Sequence, residues 1–70
     1  MPEGLMATLT QSVAVPVGAI KQFGPWGPEY EVLREASPEN GKRMARIVLV
    51  RTGEQVDYPL DAILLDPEAL

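Results

Sequence analysis

The stretch NGKRMARIVLVRTGEQVDYPL, Asn40 to Leu60, decides how the chain folds. Asn40-Gly41 lies in the polar loop Ser37–Lys42, and Asn-Gly is the pair that most easily supplies the positive φ angles of a hairpin. The chain therefore reverses there. Arg43 to Arg51 contains Met-Ala-Arg-Ile-Val-Leu-Val, rich in β-branched residues and apolar on both faces, as the central strand of a small sheet should be. Thr52-Gly53 marks a second tight reversal. Val56, Tyr58 and Leu60 then alternate with Gln55, Asp57 and Pro59, a strand that lies at an edge or ends at Pro59, which has no N–H for a ladder.

Upstream, Tyr30–Glu35 alternates with Tyr30 and Val32 inward and Glu31 and Glu35 outward, although Leu33 breaks the pattern. Before it, Gly24-Pro25-Trp26-Gly27-Pro28 is a turn, because its two prolines lack N–H donors and restrict the glycine before each. Val17–Phe23 has β character with apolar residues on both faces, which suggests a bulge, allowed by Gly18, or a strand covered twice. Downstream, Asp61 is placed to cap a short helix over Ala62–Leu65, and Asp66-Pro67-Glu68 to stop it or to begin another turn. Residues 1–16 form an apolar arm: no charge occurs from Gly4 to Ile20, and the spacing of Leu5, Leu9, Val13 and Val15 suits a helix or an extended strand. The predicted fold is mainly β, a small antiparallel meander over 17–70 curled into an SH3-like open barrel with a short C-terminal helical turn. A flat three-stranded sheet backed by the arm is the competing arrangement.

A chain of 70 residues buries only about 60% of its unfolded surface, so its stability is thin. With no cysteine to cross-link and no His or Cys to hold zinc, the remaining support is self-association or a protein partner. The net charge of −4 argues against a dedicated nucleic-acid binder, which needs surplus cations to displace counterions. No run approaches the ~20 apolar residues that span a bilayer, no targeting segment is recognisable, and cysteine-free composition fits a reducing cytosol. The expectation is a soluble, cytoplasmic protein with no membrane segment.

Catalytic chemistry is not expected. Without His or Cys, no side chain titrates near neutrality at its ordinary pKa and no thiol is available as a nucleophile. Asp57, Asp61 and Asp66 lack the spacing of a calcium loop, so no metal is expected, and the prolines after Gly24 and Gly27 remove the N–H groups of a phosphate-binding loop. No cofactor is implied. Lys42, Arg43, Arg46 and Arg51 form an acid-free basic stretch that could touch phosphate, although alternation divides it between two faces and cross-strand acids such as Glu29, Glu31, Glu35 and Glu54 could pair with it. Trp26, the single tryptophan, has two readings. It closes the open end of a barrel short of large side chains, or a stiff loop presents it outward beside Phe23, Tyr30 and Tyr58 as the anchor of a protein contact. The expectation is an indole shared between the two.

The elements Gly18-x-Ile20-x-x-Phe23-Gly24-Pro25-x-Gly27-Pro28-x-Tyr30-Glu31-Val32 and Thr52-Gly53-Glu54-x-x-Asp57-Tyr58-Pro59-Leu60 resemble a family of short bacterial proteins of unknown function. The resemblance runs from Val17 to Pro67 and leaves the N-terminal arm outside. It implies a bacterial origin and carries over no functional residue. The functional expectation is a non-enzymatic protein-interaction module that self-associates as a homodimer through the arm and the Trp26 loop. The alternatives are a nucleic-acid-associated regulator and a partner that masks a more basic protein.

Overall fold

A computed structural model of the chain describes residues 13–69, so the reading of the arm before Val13 lies outside the described residues. Four strands, β1 (Ile20–Gln22), β2 (Glu29–Glu39), β3 (Lys42–Leu49) and β4 (Gln55–Pro59), precede one helix, α1 (Leu60–Leu65). They form one antiparallel sheet in the order β1-β2-β3-β4, the expected meander.

The β2–β3 turn is the one the Asn-Gly pair dictates: Asn40 and Gly41 have φ of 51° and 77°, and Glu39 pairs with Lys42. β2 nevertheless runs through the Ser37-Pro38-Glu39 segment expected to be loop. Its register slips between Ala36 and Glu39, and that interruption is where Pro38, with no N–H to donate, is tolerated. A second slip between Val32 and Arg34 leaves Leu33 unpaired. One extra residue inverts the alternation beyond it. Glu35 therefore lies opposite Ala45, in register with the face of Tyr30 and Val32, yet it stays exposed, as expected.

The fully buried core comprises Tyr30, Val32, Ala45, Ile47 and, from α1, Ile63, with Val15, Ala19, Phe23, Leu49, Val56 and Tyr58 packed around it. A six-residue helix is too short to persist alone, so burial of Leu60 and Ile63 is what holds it in place, each contributing roughly 1.5–3 kcal/mol. Its N-cap is Pro59 with no side-chain cap, and Asp61 lies inside the first turn, correcting the expected capping role. There its charge favourably opposes the helix dipole.

Beyond the helix the chain turns extended at Asp66 (φ −70°, ψ 143°), as a residue before proline prefers, and no second helical turn follows among the described residues. The tail instead runs antiparallel to β1. Gln22 N–H donates to Pro67 O (3.0 Å), Ala69 N–H donates to Ile20 O (2.9 Å), and Lys21 faces Glu68. The short β1 is thus paired on both sides, and the meander curls into an open barrel whose last segment lies beside its first strand.

Candidate functional site

The loop between β1 and β2, residues 23–28, is built from short-range constraints. Phe23 N–H donates to Pro28 O (3.1 Å), closing the loop at its base, and Gln22 Nε2 donates to Pro25 O (3.1 Å). Gly27 packs so tightly that a Cβ there would overlap the Phe23 carbonyl oxygen. Together with two prolines, these contacts leave the loop little conformational freedom.

Beneath the loop is an aromatic base. The Phe23 ring lies 4.5 Å from Tyr30 and 5.1 Å from Tyr58, the latter edge-on at 87°, and the two tyrosines are 5.6 Å apart. Tilted and edge-to-face pairs of this kind add about 0.5–1.5 kcal/mol each beyond area burial. One carboxylate ties the base together. Tyr30 Oη and Tyr58 Oη both donate to Asp66 Oδ2, at 2.7 and 3.1 Å, while Gly24 N–H approaches Asp66 Oδ1 at 3.4 Å. Burial first, then the hydrogen bond to Asp66 and its negative charge, raise the pKa of both phenols, Tyr30 the more strongly.

Trp26 sits above this base and is 93% exposed. The indole therefore does not close the barrel, and the expectation of a shared role is corrected in favour of outward presentation. The loop's stiffness comes from its own bonds and from Phe23, Tyr30, Tyr58 and Asp66 below, so it needs no indole to hold it. Tyr30, expected beside Trp26 at the surface, is fully buried, and Phe23 and Tyr58 are half-buried. Leu65, 81% exposed, stands at the same end of the molecule, next in sequence to the Asp66 that meets Gly24.

The four basic residues of the nucleic-acid alternative are not brought together. Arg43 makes a two-point contact with Glu35 (2.9 and 3.1 Å) and also donates to Val13 O (2.7 Å). That guanidinium holds the Glu35 carboxyl below its ordinary pKa. Arg46 Nε lies 2.8 Å from Asp57 Oδ1, an ion pair without hydrogen-bond alignment, and Lys42 approaches Asp61 at 3.9 Å. Arg51 is in the β3–β4 turn, at the opposite end of the sheet from Lys42. Of the acids expected to neutralise these bases only Glu35 does so; among the described residues Asp57 and Asp61 pair with them as well.

Two residues escaped the sequence reading. The sequence marks Asp66 as the end of one helical turn or the start of another and as one of three aspartates without calcium-loop spacing, and it does not single out Lys21. Lys21 is 7% exposed, faces inward opposite Tyr30, and donates from Nζ to Ile63 O at 2.6 Å, near the C-terminal end of α1. A cation suits that end of the helix dipole. A lysine in a segment otherwise free of charge from Gly4 to Pro28 was the available signal for it.

Fold and site together define a small SH3-like β module carrying a rigid, exposed tryptophan loop. Residues 6–70 match the Family of unknown function (DUF5397), and the chain belongs to that family. The match takes in most of the N-terminal arm, which the expected resemblance left outside. A relative described as "Uncharacterized protein" from Haemophilus influenzae is 42% identical over 57 residues, covering 79% of this chain and 89% of the relative. No helix among the described residues is long and apolar enough to cross a membrane.

Proposed function

We propose that this chain is a non-enzymatic interaction module that engages another polypeptide surface through the Trp26 loop. The observation that carries this reading is the 93% exposure of Trp26 on a loop fixed from both sides and from below. An exposed indole gains nothing for the fold. On a loop already ordered, however, it offers a large contact area with little further loss of freedom on binding, the property of an interface anchor. The absence of His and Cys agrees with a role in binding. Self-association is one form of such a contact, motivated by the thin core.

Light scattering on the eluting protein, combined with capture of binding proteins from a bacterial lysate, tests the module with wild type and Trp26→Ala side by side. The reading predicts a Trp26-dependent assembly or a Trp26-dependent bound protein. A monomer in both cases, with the same proteins retained by wild type and variant, would sink it.

A further inference from the structure

The charges of this protein are segregated along the strands, and the segregation picks out the Trp26 end. Glu29 opens β2 at the base of the loop and pairs with Gln22. The β3–β4 turn is tied to the same end, since Val50 N–H donates to Glu29 O (3.1 Å) and Glu54 O accepts from Leu49 N–H (2.8 Å). The tail brings Glu68 alongside Lys21, and Glu31 is the second inward step from the loop, opposite Ile20. The carboxylates on this half are thus Glu29, Glu31, Glu54, Asp66 and Glu68, facing only Lys21, which is buried, and Arg51. On the hairpin half, Arg34, Lys42, Arg43 and Arg46 balance Glu35, Glu39, Asp57 and Asp61. The described residues therefore place their entire excess of negative charge on the half of the sheet that carries the Trp26 loop. Among them, Glu29, Glu31, Glu54 and Glu68 have no cationic side chain within ion-pair reach.

Building on the Trp26 reading, we infer that the partner is a Lys- or Arg-rich segment of another protein. An exposed indole at the end of the molecule that also carries unpaired carboxylates matches a guanidinium or ammonium twice: the ring attracts the cation through its quadrupole, and the carboxylates pair with it. The same carboxylates oppose a symmetric dimer through this end, because a two-fold contact sets the patch against itself and brings like charges together. Anionic polymers and anionic membrane surfaces are repelled for the same reason.

The full chain is titrated against fluorescein-labelled peptides of alternating Arg-Gly, Ser-Gly and Glu-Gly, read by anisotropy and by the emission of Trp26. The Arg-Gly peptide alone should bind, shift the indole emission and weaken as salt is added. Affinity should fall about tenfold or more, at least ~1.4 kcal/mol, in Trp26→Ala and in the double variant Glu29→Gln/Glu68→Gln. It should hold in Glu39→Gln/Asp61→Asn, which removes the same charge from the other half. Equal weakening by the two double variants would mean diffuse attraction and overturn the proposal, as would equal binding of the Ser-Gly peptide. If the Arg-Gly peptide fails to bind while Trp26→Ala still abolishes an assembly or a captured protein, the cationic partner falls and the interaction module stands. If Trp26→Ala changes nothing in any assay, both fall.

Discussion

Tyr30 and Asp66 are joined by a 2.7 Å hydrogen bond from the phenol to the carboxylate, which fastens the segment after the helix to the first long strand of the core. Tyr30 is fully buried, so removing its acceptor strands a polar hydroxyl without solvent. Asp66→Ala should cost about 1–3 kcal/mol in urea unfolding. The double variant Tyr30→Phe/Asp66→Ala should cost less than the two single losses added together, because the stranded group is then gone. Strict additivity would show that the pair is not coupled.

Alkaline pH should unfold the protein. Tyr30 and Tyr58, the only tyrosines, both have pKa values raised above 10.0 in the folded state, by burial first and by Asp66 second. Above about pH 10 the unfolded chain releases these protons while the folded chain keeps them, so their stabilisation is complete below that pH and is lost as pH rises beyond it toward the folded pKa values. Tyrosinate absorbance should therefore appear together with loss of the circular dichroism of the fold. Two phenols titrating near pH 10 in a still-folded protein would contradict the arrangement.

Gly27→Ala places a Cβ against the Phe23 carbonyl, a backbone atom that cannot swing aside. The loop must open to admit it. The expected loss is roughly 1–3 kcal/mol, comparable to overpacking a core, with a change in the emission of Trp26 that reports the altered loop. A variant with unchanged stability and unchanged emission would mean that the loop is softer than its contacts indicate.

Trp26→Ala should leave the unfolding free energy within about 0.5 kcal/mol of wild type, since a side chain this exposed contributes little to packing. A loss of several kcal/mol would return the indole to the role of barrel closure.

Lys21→Met keeps much of the aliphatic stem but removes the donor to Ile63 O, and it should lower stability by about 1.5–3 kcal/mol, the range for a hydrogen bond to a charged group. Lys21→Ala should cost more, because it also leaves a cavity. If Met proves neutral, the hydrogen bond does no more than offset the cost of burying the ammonium.

Turn chemistry and alternation are local properties, and they were legible without the structure. Asn40-Gly41 specified a reversal that needs two positive φ angles, the apolar run of β3 specified a central strand, and Pro59 specified where β4 ends. The part of the stiffness of residues 24–28 that comes from ring closure in the two prolines was equally readable. The direction in which Trp26 points was not.

Orientation depends on what the loop rests on, and that support arrives from distant parts of the chain: Tyr58 from β4 and Asp66 from beyond the helix. The same holds for the slip at Leu33 that sets Glu35 opposite Ala45, for Lys21 finding the carbonyl of Ile63, and for the tail lying along β1. Sequence alone determined that this chain makes a meander with a braced tryptophan loop. Tertiary structure decided which way the indole faces and which charges share its half of the sheet, because those outcomes depend on contacts between residues some forty positions apart.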